Sequence, residues 1–252
     1  MKLLVSIVDY QEALKAFEGG ADIVDVKRPA EGSLGANFPS TIREVRDRVP
    51  RNVDVSATIG DLPNLPGTSA LAGLGAAVSG ADYVKAGLLG PRTSSEATFL
   101  MKAVCKAVKD FNPRARVIAA GYADYEDVGS LSPLDLPRVA SASGSDGVLI
   151  DIAVKRDTKL FEYMQDEEIS LVVKESHGLG LSVALAGLLG TEDVARCSRL
   201  GADILGVRRS ACEGGDRVRG RVSKDRVKTL SDAVRSLATD SDGFGILSTA
   251  VR

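Results

Sequence analysis

Gly20-Ala21-Asp22 recurs as Gly80-Ala81-Asp82, Gly144-Ser145-Asp146 and Gly201-Ala202-Asp203, about every 60 residues along the chain. Each copy opens a short run rich in β-branched residues: 23–27, 83–85, Gly147–Asp151 and 204–208. Glycine-bounded apolar runs of this length read as buried strands. Four more lie between them, at Lys2–Ile7, 53–59, 116–121 and 181–186. Nearly every run is followed by helical spacing, as in 9–18, 68–79, 95–110 and 191–200. Asp9, Thr68, Ser95 and Thr191 are residue types whose side chains accept the orphan N–H groups at a helix start. Gly19, Gly80 and Gly201 stand where the helices should stop and are expected to supply the left-handed turn there.

Strands that alternate with helices pair in parallel. Their number and the chain length of 252 residues predict one (β/α)8 barrel over 1–252, with the triplets opening strands 2, 4, 6 and 8. A doubly wound open sheet is the competing arrangement. It lacks its usual glycine fingerprint, because Ile7-Val8-Asp9-Tyr10 follows the first strand and Gly178-Leu179-Gly180 precedes one. The last residues, 240–252, are expected to be less ordered or to cover the outside of the barrel.

Charge and composition narrow the class. Lys+Arg number 32 against 34 Asp+Glu, so nothing draws the chain to nucleic acid or to an anionic membrane. Aromatic residues are only 4%, with no tryptophan, which removes base-stacking platforms as well. Cys105, Cys197 and Cys212 are odd in number and far apart, as in a reducing compartment. With one histidine there is no zinc-like cluster, and neither a metal nor a cofactor is expected. The amino terminus lacks a signal-peptide core, and no apolar run is long enough to cross a membrane. The expectation is a cytoplasmic globular protein, associating as barrels of this kind usually do into a homo-oligomer.

Strand alternation puts charges where a barrel should be apolar. In the second strand Val24 and Val26 face the helices, so Asp25 and Lys27 point into the barrel. By the same parity Lys85 points inward from the fourth strand and Asp151 from the sixth, with Lys155 keeping that parity just past its end. Lys27, Lys85, Asp151 and Lys155 fall toward the C-terminal strand ends, where barrel active sites are assembled. A buried unpaired charge costs several kcal/mol or neutralises by shifting its pKa. The plain alternative is a set of structural ion pairs, Asp25 with Lys27 or Asp151 with Lys155. Three lysines and two aspartates converging on one mouth favour chemistry. A lysine desolvated beside other cations is a usable amine nucleophile, suited to Schiff-base formation, and Lys–Asp pairs can move protons.

Phosphate sites in barrels use the loops after strands 7 and 8. There the chain offers Gly187, Gly190 and Thr191, then Gly206, Arg208 or Arg209 and Ser210. Glycines let backbone amides approach an anion, and arginine adds a charge-assisted contact. Together the two ends predict a small phosphorylated carbonyl substrate. His177, in a loop before a strand on the opposite face, is set aside. So is Cys212, read as an incidental thiol, and so are the repeated aspartates Asp22, Asp82, Asp146 and Asp203, read as backbone caps. The basic residues of 217–228 are expected to form a solvated helix face.

The stretch from Gly20-Ala21-Asp22-Ile23-Val24-Asp25-Val26-Lys27 through Pro29 and Glu31-Gly32-Ser33-Leu34-Gly35-Ala36-Asn37-Phe38-Pro39 resembles the (5-formylfuran-3-yl)methyl phosphate synthase family. Val55-Ser56-Ala57-Thr58-Ile59-Gly60-Asp61, Gly80 to Gly87, Asp151 to Lys155, and Arg209-Ser210-Ala211-Cys212 with Gly214-Gly215-Asp216-Arg217 support it. The resemblance implies a lyase that joins two molecules of glyceraldehyde 3-phosphate into a furan, with loss of phosphate and water, for methanofuran or a related one-carbon carrier. It implies that Lys27 forms the Schiff base and Lys85 accepts a proton, with Asp25, Asp151 and Lys155 assisting. Two other readings remain open: a simple class I aldolase, which would release no phosphate, and a non-catalytic phosphometabolite-binding protein, which would not need buried lysines.

Overall fold

In the computed structural model, which describes residues 1–155 and 157–242, eight parallel strands close into a barrel in chain order. They are β1 (Lys2–Ile7), β2 (Ile23–Val26), β3 (Asp54–Asp61), β4 (Tyr83–Gly87), β5 (Arg116–Tyr122), β6 (Gly147–Asp151), β7 (Ser182–Leu185) and β8 (Ile204–Val207). The helices are α1 (Tyr10–Glu18), α2 (Pro39–Arg48), α3 (Pro66–Val78), α4 (Ser94–Phe111), α5 (Tyr125–Val128), α6 (Leu136–Ser143), α7 (Leu160–Tyr163), α8 (Asp166–Gly178), α9 (Val194–Arg199) and α10 (Lys224–Asp242). β8 pairs with β1, Leu205 opposite Leu3, so the sheet has no edge and the open doubly wound alternative is excluded.

Strand alternation divides the apolar residues into two layers. Val24, Val26, Val84, Val148 and Ile150 pack outward against the helices. Leu4, Ile23, Tyr83, Ile118, Leu149 and Ile204 fill the barrel interior. Each such side chain, once fully buried, contributes about 1.5–3 kcal/mol.

The repeated triplet has a definite structural task. Asp22, Asp82, Asp146 and Asp203 each accept a backbone N–H from the preceding strand, at Leu3, Val55, Val117 and Val183, over 2.7–2.8 Å. The glycine before each takes a positive φ, from 78° to 97°, which allows the helix to turn into the strand. These aspartates are therefore caps at the N-terminal end of the barrel.

Several local expectations are corrected. Gly19 is right-handed at φ −78°, and the left-handed residue after α1 is Gly20. The helix expected from Thr68 begins at Pro66, whose missing N–H suits a first helical position. Thr93, not Ser95, caps α4, exchanging hydrogen bonds with Glu96 in a capping box. Thr191 opens a single 3-10 turn, and α9 starts only at Val194. His177 lies within α8 and meets Asp203 at 2.9 Å. Of the tail expected from residue 240, α10 accounts for the part up to Asp242 and 243–252 lie outside the described residues. No helix among the described residues is long and apolar enough to cross a membrane.

Candidate active site

The inward-facing positions of β2, β4 and β6 bring the expected charges together. Asp25 is fully buried and pairs with Lys85 across the barrel at 2.7 Å, while Ser6 Oγ donates to the same carboxylate oxygen at 3.0 Å. Lys27 stands one residue past β2, 5% exposed, and its Nζ donates to the Ser33 carbonyl at 3.2 Å. Among the described residues no carboxylate lies within ion-pair reach of it. Asp151, at the end of β6, pairs with Lys155, accepts the Ile152 N–H at 2.8 Å and accepts the Ser33 hydroxyl at 3.3 Å. One of the two expected structural pairs thus forms, Asp151 with Lys155. Asp25 takes Lys85 instead of Lys27, which leaves Lys27 as the odd amine.

Electrostatics follows from that arrangement. Burial lowers Lys27 to about 8, against the opposing pull of Asp151 and Asp25. Burial also lowers Lys155, with its partner Asp151 resisting. Burial alone would raise the carboxyls of Asp25 and Asp151. The ammonium groups of Lys85 and Lys27 nevertheless hold Asp25 below its ordinary value, and those of Lys155 and Lys27 do the same for Asp151. Both carboxylates stay ionised, and Lys27 gives up its proton near pH 8, well below an ordinary lysine.

Lys27, Lys85, Asp151 and Lys155 line one cavity at the C-terminal mouth, with Asp25 behind Lys85. Its other wall comes from β7 and β8, where Gly187 and Gly206 expose backbone. Gly187 takes φ +112°, and a Cβ there would lie 3.0 Å from the Ile152 side chain. Gly190, Thr191 and Ser210 fall outside that lining. Gly190 N–H donates to Asp193 at 2.9 Å, Ser210 Oγ donates to the Leu189 carbonyl at 2.9 Å, and Thr191 is exposed. Arg208 reaches the wall, but its guanidinium is bound to Glu12 in a buried ion pair and donates to the carbonyls of Ser6, Gly220 and Arg217.

Residue-by-residue reading of the sequence missed Arg217. It is not on a solvated helix, since α10 starts at Lys224, but on the loop after β8, half-buried and lining the cavity. The Gly214-Gly215-Asp216 run before it is a turn signal that could have placed it there. The Asp61–Tyr122 pair beneath the β2 loop was also missed. Tyr122 OH donates to Asp61, which also accepts the Leu34 N–H, and burial raises the pKa of both groups. Burial pushes the Cys212 thiol up to about 11, in keeping with an unreactive side chain. No His/Cys/Asp/Glu cluster with metal-binding geometry exists among the described residues.

The profile of the 4-HFC-P synthase family matches residues 3–231. The chain belongs to that family. It is 50% identical over 236 residues to the (5-formylfuran-3-yl)methyl phosphate synthase of Methanothermobacter thermautotrophicus, covering 94% of this chain and 100% of that one. The synthase of the same name from Methanopyrus kandleri is 51% identical over 233 residues, 92% of this chain and 98% of its relative. Among solved structures, 3-hexulose-6-phosphate synthase from Salmonella typhimurium aligns with TM-score 0.66 at 15% identity, over 94% of this chain and 99% of that one. At that identity the likeness is one of fold. As a member of the 4-HFC-P synthase family the chain is an enzyme, and the cavity at the barrel mouth is its candidate active site.

Proposed function

We propose that this enzyme condenses two molecules of glyceraldehyde 3-phosphate into (5-formylfuran-3-yl)methyl phosphate through a Schiff base on Lys27. The carrying observation is Lys27 itself: a buried amine with no carboxylate partner among the described residues and a pKa lowered to about 8, between two Lys–Asp pairs. At pH 7 about one molecule in eleven then holds Lys27 as the free amine, against roughly one in three thousand for an ordinary lysine. Two trioses lose one orthophosphate and two waters to give the six-carbon furan, so the reaction needs no oxidant or reductant.

The free amine adds to the aldehyde of one triose, and loss of water gives the imine. The imine acidifies the neighbouring C–H, and Lys85 takes that proton as its own ammonium proton moves to Asp25, 2.7 Å away. The other triose loses its C2 proton and its phosphate by elimination, and the enamine carbon C2 of the Lys27-bound triose bonds to the terminal carbon of the enal left behind. Lys155, held by Asp151, supplies protons to the departing phosphate and water during ring closure and dehydration. Dehydration to an aromatic ring makes the final stage effectively irreversible. Methanofuran or a related one-carbon carrier is the destination we assign to that product, the names of the relatives giving the furan phosphate itself.

The test is incubation with glyceraldehyde 3-phosphate, borohydride reduction and peptide mass spectrometry, with parallel assays of phosphate and of furan absorbance. An adduct on Lys27 together with phosphate and furan is the expected result. An adduct without phosphate release makes the enzyme an aldolase. No adduct and no products refute the imine.

A further inference from the structure

The charges at the barrel mouth pair off unevenly. Lys85 is matched by Asp25, Lys155 by Asp151, Arg208 by Glu12 and Arg209 by Asp157. Among the described residues lining the cavity, Lys27 and Arg217 are left with no carboxylate in ion-pair reach. Lys27 can shed its charge by giving up its proton, which it does near pH 8. Arg217 has no such route, because a guanidinium keeps its charge at any physiological pH. Its two terminal nitrogens meet only the carbonyls of Pro29 and Gly32, at 3.5 and 3.2 Å. Those are long contacts to neutral dipoles, and they leave the fork poorly satisfied.

The loop that presents Arg217 is firmly held. Asp216 accepts the N–H groups of Val218 and Arg219 at 2.8 and 3.0 Å, and Cys212 forms a β-bridge with Val222. Arg208 ties the same loop to the barrel, donating to the carbonyls of Arg217 and Gly220 at 3.0 and 3.1 Å while Glu12 balances its charge. The interior arginine is thus a bracket, and the arginine it brackets faces the cavity.

We infer that Arg217 is the phosphate-binding residue of the active site, taking the dianionic phosphate monoester of the substrate in its guanidinium fork. Arg208 acts through it as a positioning residue. The inference rests on the triose-phosphate reading above and deepens it. A planar fork matches two phosphate oxygens at once, and Gly187 and Gly206, which have no side chains, line the same cavity. Binding there exchanges the Pro29 and Gly32 carbonyls for a full counter-charge. Those carbonyls belong to the same β2–α2 loop whose Ser33 carbonyl accepts from Lys27, so phosphate occupancy is felt at the reacting amine.

The experiment compares Lys27 trapping by borohydride with two aldehydes, glyceraldehyde 3-phosphate and glyceraldehyde, in the unmodified enzyme, Arg217→Lys and Arg217→Gln. The readout is the ratio of half-saturating concentrations, which isolates the contribution of the phosphate. Arg217→Gln should cut the preference for the phosphorylated aldehyde about 10- to 100-fold, and Arg217→Lys, which keeps charge but loses the fork, should cut it less. A Gln can still donate to the Pro29 and Gly32 carbonyls, so a mere latch would leave the ratio intact. A ratio within twofold of the unmodified enzyme in Arg217→Gln overturns the assignment. If the unmodified enzyme traps neither aldehyde, the Schiff-base reading fails on its own. Calorimetry with inorganic phosphate then decides Arg217 separately: binding lost in Arg217→Gln supports it, and binding retained overturns it.

Discussion

Removing the charge of Asp151 should make Lys27 a better nucleophile and the enzyme a worse catalyst. Burial takes Lys27 from the ordinary 10.5 to about 8, and it does so against Asp151, the largest of the opposing attractions. Asp151→Asn keeps the shape and can still accept from Ile152 N–H, but the attraction is gone. The pKa of Lys27 should therefore fall further, by on the order of one unit, or about 1.4 kcal/mol. At pH 7 the free-amine fraction rises from about one in eleven to about one half, roughly a fivefold gain. The assay is the rate of imine trapping on the Lys27 peptide against pH, with Lys155 counted separately because it also loses its partner. The midpoint should move down from near 8, while, on the mechanism proposed above, furan formation drops because the Lys155–Asp151 pair no longer delivers protons. A midpoint that stays put or moves up in Asp151→Asn would refute the reasoning, since Asp151 would then not be holding the proton on Lys27.

Other outcomes follow from neighbouring contacts. Because Lys27 binds its proton less tightly folded than unfolded, the unfolded chain carries more protons between about pH 8 and 10.5, and stability must rise with pH across that window. Urea titrations of the unmodified enzyme and Lys27→Met at pH 8 and 10 should show the former gaining on the latter by about 1–3 kcal/mol. Glu12→Gln leaves the Arg208 guanidinium buried without its counter-charge and should cost about 3–5 kcal/mol, read from the urea midpoint. Gly87→Ala sets a Cβ 2.2 Å from the Tyr122 hydroxyl and 2.9 Å from the Gly60 carbonyl, and should destabilise by about 1–3 kcal/mol in the same assay.

The barrel was legible because its two periods were both clean. The triplet repeat located half the strands, and alternation within β2, β4 and β6 sorted Val24 and Val26 outward from Asp25, and Ile150 from Asp151. Pairing was not legible, because partners are chosen by position in the closed barrel. Nothing near Asp25 in the chain says that it will prefer Lys85 to Lys27, and Glu12 reaches Arg208 across 196 residues. That long-range pair is what separates two arginines that look alike in sequence, one bracing the wall and one facing the cavity. Helix starts were misplaced where two capping residues stood close together, as Thr93 and Ser95 do, since only the Glu96 contact decides between them.

Closure of β8 onto β1 has a consequence in time. A ribosome delivers Lys27 early and the β8 wall, with Arg208 and the loop after it, almost last. The burial that lowers the affinity of Lys27 for a proton belongs to the closed barrel, of which that wall is a part. A nascent or truncated chain therefore carries an ordinary surface-like lysine, nearly inert toward the cell's aldehydes. On the Schiff-base reading proposed above, the nucleophile then comes into being only as the ring closes, so completion of the fold itself arms the enzyme.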